Sequence, residues 1–245
     1  MNDKMISVIC VYNNKEILDK FLLKSLKRQS VEYELILIDN QSGKYNSAPE
    51  ALNYGAAKAN GDYLIFAHQD IELTSNQWLK NVEHMMKTLD NVGIAGLAGV
   101  LEDEFRIKSN MVNGIPPIPA GEEIKSPIKV QTLDECLVII PKSIFMKYKF
   151  YEKLLGWHLY TVDYCLNIIL HGFNVYVLPI HAYHKSYMTH YPKEYFELLK
   201  KLLDKYKPYY RKINTTCGFW YTSYPLKLNW FLNTQIGGIF NKFIK

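Results

Sequence analysis

The sequence predicts an α/β fold, a mostly parallel sheet flanked by helices, followed by a helical C-terminal tail that is aromatic and basic. Two observations support this prediction. Short apolar runs that end abruptly at polar residues alternate with segments of helical spacing, and the connections between them are short. Strands and helices that alternate in this way form parallel sheets with right-handed crossovers.

The first part of the chain supplies three strands and two helices. Residues 6–12 and 33–39 are apolar runs typical of buried strands. Between them, residues 15–28 place apolar side chains three and four positions apart, which predicts a helix. A second helix is predicted over 49–60, because Pro49 fits a first helical turn. Residues 63–67 are apolar on both faces and predict a third, fully buried strand.

The pattern continues after residue 70 with one interruption. Residues 102–129 are polar and contain four prolines, which predicts a long loop that could cover a site. The other predicted elements are helices at 76–89 and 157–171, strands at 92–100 and 174–180, a strand leading into a helix within 131–145, and helical structure from Tyr191 onward.

Asp70 follows the third strand, at the edge where open α/β sheets bind their ligands. A carboxylate at this place could bind a hard metal ion or a ribose hydroxyl. An aspartate that only caps the next helix would produce the same pattern. The position alone therefore leaves both interpretations open.

The composition fits one large α/β domain, or such a domain with an appendage. The chain has 245 residues, 48% of them hydrophobic, which is enough for a substantial core. Its four cysteines form no CxxC pair, which favours a reducing, cytoplasmic setting over a disulfide scaffold. The N-terminus shows no signal-peptide pattern, and no apolar run approaches the ~18 residues needed to span a bilayer.

Positive charge is concentrated at the C-terminal end. From Lys185 to Lys245 the chain carries 11 Lys or Arg and 3 Asp or Glu, a net charge of +8. The preceding residues carry a net charge of −3. This asymmetry predicts an anionic partner for the tail, and a membrane surface is one candidate.

Several segments resemble, in this order, the family-2 glycosyltransferases, which have the GT-A fold. The resemblance is strongest to a bacterial subgroup with a strand that ends in HQD and a later GWHxYxxDxC segment. It covers roughly residues 5–186 and fades after about residue 190. The matching segments are ISVICVYNN (6–14), LKRQS (26–30), LILIDN (35–40), GDYLIFAHQD (61–70), QTLDECLVIIPKSIF (131–145), GWHLYTVDYC (156–165) and VYVLPIHAYHKS (175–186).

The resemblance implies an inverting transfer of a sugar from a nucleotide-sugar donor to a glycan or lipid-linked acceptor, in cell-surface polysaccharide synthesis. Val11, Tyr12 and Asn13 would form a wall around the nucleotide base. Asp39 would accept a hydrogen bond from the base, and a charge-assisted bond is roughly twice as strong as a neutral one. An aspartate that only stabilises a turn remains the alternative for Asp39.

A divalent metal, Mn²⁺ or Mg²⁺, is implied as cofactor. Where the family usually has Asp-x-Asp, this chain has His68, Gln69 and Asp70. Asp70 therefore inherits the metal and diphosphate role, and strict metal dependence stays open. His184 matches a histidine that follows the last strand in many relatives and is implied as the second ligand. A histidine ligand favours Mn²⁺ over Mg²⁺.

Asp163 falls on the family's catalytic-base position, where a carboxylate would take the proton of the acceptor hydroxyl. An aspartate in the first turn of a helix is also stabilised by the helix dipole, so a structural role is the alternative. The resemblance further implies that Asp134 contacts the donor sugar. Trp157 and His158 are implied to bind the acceptor, although an aromatic side chain there could equally belong to the core.

These inferences divide the chain into a GT-A domain, residues 1–186, and a C-terminal tail, residues 187–245. The basic and aromatic tail predicts peripheral attachment to the inner face of the membrane. The alternative is that its aromatic residues pack back onto the domain, or against a second subunit in a homo-oligomer. A cytoplasmic location and no nucleic-acid partner are expected. The aromatic residues concerned are Phe219, Trp220, Tyr221, Tyr224, Trp230, Phe231, Phe240 and Phe243.

Two rival classes remain open. A nucleotidyltransferase also binds a nucleotide at strand ends with an aspartate-bound metal, but it should have a glycine-rich basic loop where this chain has VYNNKE. A non-catalytic relative would bind a nucleotide or glycan without needing both Asp70 and Asp163. A dinucleotide-dependent oxidoreductase is disfavoured, because no GxGxxG motif follows a strand.

Overall fold

The computed structural model describes residues 5–104, 106–186 and 191–235. Its strands are β1 (Ile6–Tyr12), β2 (Tyr33–Asp39), β3 (Tyr63–Ala67), β4 (Ile71–Leu73), β5 (Val92–Gly96), β6 (Ala98–Val100), β7 (Ile107–Ser109), β8 (Met111–Asn113), β9 (Ile118–Pro119), β10 (Ile128–Lys129), β11 (Thr132–Leu133), β12 (Leu137–Pro141), β13 (Asn174–Val177), β14 (Ala182–His184), β15 (Lys212–Thr215) and β16 (Gly218–Tyr221). Its helices are α1 (Lys15–Leu18), α2 (Lys24–Leu26), α3 (Ala48–Ala56), α4 (Trp78–Thr88), α5 (Lys142–Phe145), α6 (Tyr160–Leu170), α7 (Lys193–Tyr206) and α8 (Leu226–Gln235), and a π-helical stretch, Asp19–Leu23, joins α1 to α2.

A seven-stranded sheet forms the centre of the fold, in the order β10-β13-β5-β12-β3-β1-β2. β1 pairs in parallel with both β2 and β3, and β13 pairs in parallel with β5. β10 and β12 are antiparallel to the strands that they pair with. The sheet is therefore mostly parallel, as predicted, and the carboxyl ends of β1, β2 and β3 form one edge where a ligand can bind.

Apolar layers cover both faces of this sheet. All five residues of β3 are buried, which explains why its sequence shows no alternation. Ile65 packs with α1, α2 and α4 on one face. Leu64 and Phe66 pack with α3, α5 and α6 on the other. Burial of both layers away from water is the main force that holds the helices onto the sheet.

The segment 102–129 differs from the predicted loop, because it contains the four short strands β7 to β10. β7 pairs with β6, and β8 pairs with β14. The side chain of Asn110 also exchanges two hydrogen bonds with the backbone of Ile124. Strands this short have no periodicity of their own, and their partners are distant in the sequence. That the segment covers a site stays a prediction.

The C-terminal segment is helical only in part. α7 and α8 confirm predicted helices, but the hairpin of β15 and β16 lies between them and was not predicted. Leu198, Leu202 and Tyr206 of α7 pack against Val162 and Leu166 of α6. Residues 187–190 and 236–245 of the predicted tail, with Phe240 and Phe243, lie outside the described residues.

Among the helices of residues 5–104, 106–186 and 191–235, none combines the length and the apolar character that crossing a bilayer requires.

Candidate active site

The site is assembled at the turn that follows β3. β14 pairs with β4 so that His184 stands opposite Ile71, next to Asp70. His184 Nε2 lies 3.3 Å from Asp70 Oδ1. The ring centroids of His68 and His184 are 5.7 Å apart. One ligand atom from each of the three residues lies within 4.8 Å of the others, and we call this group the His68–Asp70–His184 cluster.

The protonation states of His68 and Asp70 suit metal binding. Burial and the neighbouring His184 lower the pKa of His68 to about 4, so its imidazole is neutral at pH 7. Burial alone would raise the pKa of Asp70, but the hydrogen bond and charge of His184 hold it well below its usual range. Neutral imidazole and ionised carboxylate are the forms that bind metals. Two nitrogen donors and one oxygen donor fit Mn²⁺ better than Mg²⁺.

Gln69, the middle residue of the HQD turn, connects this turn to the end of β1. Its Oε1 accepts hydrogen bonds from the backbone N–H groups of Asn13 (3.1 Å) and Asn14 (2.9 Å). Its Nε2 donates to Asn13 Oδ1 at 2.7 Å. The side chain of Asn13 therefore supports the turn, and its predicted contact with the nucleotide base stays a prediction.

Tyr12 and Asp39 stand side by side at the ends of β1 and β2, where they are paired in register. The Tyr12 hydroxyl donates to Asp39 Oδ2 at 3.0 Å. The backbone N–H and the side-chain amide of Gln41 donate to the same carboxylate and, with Tyr12, lower the pKa of Asp39. The Asp39 side chain is exposed, so a ligand can reach it.

A cleft opens beside His68. Its walls include Val11 and Trp157, which were predicted for the donor and the acceptor. The loop that carries Trp157 packs closely against α7. This packing requires a glycine at position 156, because its φ is 145° and a Cβ there would collide with Glu194 and Leu198. The other lining residues are Ala48, Leu52, Phe66, Ala67 and Tyr160.

Asp134 lies near the His68–Asp70–His184 cluster and interacts electrostatically with His184. Its Oδ1 accepts from the backbone N–H of Cys136 at 3.0 Å, and its Oδ2 accepts from the Thr216 hydroxyl at 2.9 Å. Burial would raise the pKa of Asp134, but His184 and these donors lower it. Thr216 belongs to the turn between β15 and β16, so the C-terminal hairpin reaches the site.

Sequence reasoning missed two residues of this region, His68 as a metal ligand and Glu135. His68 gives a signal in the sequence, because it stands two positions before Asp70 in the HQD turn. Glu135 gives a weaker one, because it only follows a predicted site residue. In the structure its carboxylate lies 3.3 Å from His158 Nδ1 and accepts from the backbone N–H of Leu159 at 2.9 Å.

Asp163 does not join the other predicted site residues. It is 3% exposed, and its Oδ1 accepts a hydrogen bond from Lys205 Nζ at 2.6 Å. The Tyr206 hydroxyl donates to its backbone carbonyl. Burial raises the pKa of Asp163 although Lys205 opposes the shift. The predicted role of Asp163 as catalytic base gains no support from this geometry and stays a prediction.

The mostly parallel sheet, with the His68–Asp70–His184 cluster at its carboxyl edge, has the arrangement of the GT-A fold. Residues 7–206 match a family described as glycosyltransferase-like. The chain belongs to this family.

Solved structures with the same fold include two with bound Mn²⁺. The mannosyltransferase PcManGT from Pyrobaculum calidifontis, in complex with GDP-Man and Mn²⁺, has a TM-score of 0.60 and 12% identity over 85% of this chain and 65% of that chain. GalNAc-T7 with UDP, GalNAc and Mn²⁺ has a TM-score of 0.59 and 16% identity over 84% of this chain and 49% of that chain.

A further solved structure is S. aureus TarS 1-349 in complex with UDP-GlcNAc, with a TM-score of 0.59 and 14% identity over 81% of this chain and 65% of that chain. This chain thus spans between half and two thirds of the length of these solved chains, and identities this low show the fold alone. A relative from Fuscovulum blasticum, "ATP synthase subunits region ORF 6", is 24% identical over 220 residues, which is 84% of this chain and 85% of the relative.

Proposed function

We propose that this protein moves a sugar from a nucleoside-diphosphate-sugar donor to a hydroxyl group of a glycan or a lipid-linked acceptor, with inversion at the anomeric carbon. The observation that carries the proposal is the His68–Asp70–His184 cluster. It places three metal-capable side chains at the edge of the sheet where this fold class binds its donor. Family membership supports a sugar as the transferred group.

The surrounding residues suggest how such a donor would lie. Tyr12 and Asp39, at the neighbouring strand ends, would hold the nucleotide. Asp134 would hold the donor sugar, and the cleft wall formed by Trp157 would hold the acceptor. His68, Asp70 and His184 would bind Mn²⁺, which supplies positive charge against the diphosphate that leaves in the transfer.

Calorimetry with UDP and GDP, each with and without Mn²⁺, tests this function. We expect one of the two nucleotides to bind only with Mn²⁺, and Asp70→Asn to weaken that binding at least tenfold because a charged metal ligand is lost. Asp62→Asn is the matched control, since Asp62 is exposed and lies at the opposite end of the same strand. If neither nucleotide binds with Mn²⁺, or if Asp70→Asn binds as well as the wild type, the proposal is wrong.

A further inference from the structure

The proposed transfer requires a group that removes the proton of the acceptor hydroxyl as the new glycosidic bond forms. Asp163 is poorly placed for this task, because its carboxylate is buried and hydrogen-bonded to Lys205. A different group in the same part of the molecule has both an available atom and a partner that orients it. This group is His158, at the amino end of α6, together with Glu135.

The Glu135 carboxylate binds two consecutive residues. One oxygen lies 3.3 Å from His158 Nδ1, and the other accepts the backbone N–H of Leu159 at 2.9 Å. Burial raises the pKa of Glu135, and the hydrogen bonds to His158 and Leu159 oppose this shift. With Glu135 ionised, its oxygens only accept hydrogen bonds, and Nδ1 carries the proton in this contact. In the neutral imidazole, Nε2 then has a free lone pair, which is what a general base needs.

The backbone next to His158 is strained in a way that fixes its position. Leu159 has φ of 65° and ψ of 3°, in the left-handed region that leucine rarely adopts. A non-glycine residue in this region is under backbone strain. Its side chain is buried and its N–H is held by Glu135, so the surrounding structure maintains the strain. Residues held in this way are concentrated at functional sites.

His158 also has the right surroundings. Its neighbours Trp157 and Tyr160 line the same cleft as His68, and the Tyr160 hydroxyl donates to the backbone carbonyl of Glu135. The side chain of His158 is 24% exposed, so a substrate hydroxyl can reach it. His158 therefore stands next to residues that line the cleft, of which His68 of the cluster is also a part.

We infer that His158 is the general base of the proposed glycosyl transfer, and that Glu135 is a positioning residue that orients its imidazole. The inference rests on the proposed function. In the step, the acceptor O–H bond breaks and its proton moves to Nε2 of His158. The acceptor oxygen bonds to the anomeric carbon, and the bond from that carbon to the phosphate oxygen breaks, with its electron pair leaving on the nucleoside diphosphate. Glu135 then stabilises the imidazolium.

The charged and titratable groups that face His158 are Glu135, Glu194 and Tyr195 of α7, and His68. The hydrogen bond that His158 donates to Glu135 raises the pKa of His158 above its ordinary value of 6.5, although burial opposes this. Because the base must be unprotonated, the rate should rise as the pH rises through this pKa and then level off. Loss of the Glu135 charge should move this rise to lower pH.

The test measures release of UDP or GDP from UDP-GlcNAc and GDP-mannose with Mn²⁺, with water as acceptor, over a range of pH. We expect His158→Gln to lower kcat by roughly 10²–10⁴-fold, the usual contribution of a general base, while Mn²⁺-dependent nucleotide binding is unchanged. Glu135→Gln should lower kcat less and shift the pH profile. His84→Gln, at an exposed histidine of α4, is the control and should match the wild type.

NMR of the labelled imidazole gives a second readout that does not depend on turnover. We expect the Nδ1–H tautomer at high pH in the wild type, and a lower pKa of His158 in Glu135→Gln. An Nε2–H tautomer would overturn the inference, as would near-normal turnover of His158→Gln or a loss of turnover confined to Asp163→Asn. In each of these cases Mn²⁺-dependent nucleotide binding would still support the proposed function, and its absence would reject both.

Discussion

At the scale of single residues, two buried aspartates differ in their partners. Asp70 is 8% exposed and Asp163 is 3% exposed. Asp70 faces the imidazoles of His68 and His184, and the three side chains together could hold a metal ion. Asp163 is instead paired with Lys205, whose ammonium already balances its charge. The neighbouring side chains, more than the degree of burial, indicate which of the two carboxylates is available to bind a ligand.

Lys205→Met tests whether the Asp163 ion pair is structural. We expect the free energy of unfolding to fall by about 3 kcal/mol at pH 8, because a buried carboxylate without its cation is costly. The folded-state pKa of Asp163 is already raised and should rise further without Lys205. A protonated Asp163 carboxyl carries no charge and is tolerated in the folded state. The loss of stability should therefore be smallest in acid and should grow as the pH rises through the pKa of Asp163.

Urea denaturation at pH 5 and pH 8 measures this difference. Lys193→Met is the matched control, because the Lys193–Glu197 pair also lies on α7 but is exposed on both sides. An exposed pair contributes little, and this variant should stay within about 0.5 kcal/mol of the wild type. Equal stabilities of the two variants at pH 8 would contradict a structural role for the pair.

At the scale of elements, the hairpin of β15 and β16 contacts the candidate site. Gln131, next to β11, accepts from the backbone N–H of Asn214 at 2.7 Å. Asn229 and Asn233 of α8 bond to the backbone of Tyr221 and Phe219, which fixes the outer edge of the hairpin. The turn of this supported hairpin brings the Thr216 hydroxyl to Asp134.

Thr216→Val should therefore weaken donor binding while the fold persists. The variant keeps the shape of the side chain but leaves one Asp134 oxygen without its donor, and a hydrogen bond to a charged group contributes about 1.5–3 kcal/mol. We expect the KM for the donor that the chain uses, UDP-GlcNAc or GDP-mannose, to rise at least tenfold. Thr216→Ser retains the hydroxyl and should behave like the wild type. Equal KM values for the two variants would show that the contact does not position Asp134.

At the scale of the whole molecule, the predicted tail separates into a buried part and an exposed part. Phe219 and Trp220 are 7% and 0% exposed, so these two residues follow the alternative in which the tail aromatics pack back onto the domain. Trp230 packs on Phe196 of α7. Phe231 is 56% exposed and Leu228 41% exposed on α8, which leaves an apolar face directed outward.

We propose that this face of α8, with the exposed Lys227 beside it, rests on an anionic membrane surface. The variant Leu228→Ser with Phe231→Ser should sediment less with anionic vesicles than the wild type does, at unchanged thermal stability. Tyr209→Ser alters an exposed aromatic outside α8 and is the control. Point variants are preferable to truncation near Pro192, because α7 is part of the core. Equal sedimentation of both variants and the wild type would reject the membrane contact.

Much of the central sheet could be predicted from the sequence. β1, β2 and β3 lie where apolar runs were found, and Ser47 and Pro49 begin α3 close to the predicted start. These elements are determined locally, because burial on both faces and helix-start residues leave marks within a few positions. β7 to β10 and the hairpin of β15 and β16 were missed, because each needs pairing partners that its own residues do not specify.

For the site, the sequence by itself placed Asp70, Asp39 and Val11 at strand ends, since in a parallel sheet the end of a strand is also the ligand edge. Only the tertiary structure decided which side chains meet. The pairing of β14 with β4 brought His184 to Asp70, although they are 114 positions apart in the chain. Packing of α7 on α6 brought Lys205 into hydrogen-bond contact with Asp163. Such contacts depend on how whole elements pack, and no spacing within either segment encodes them.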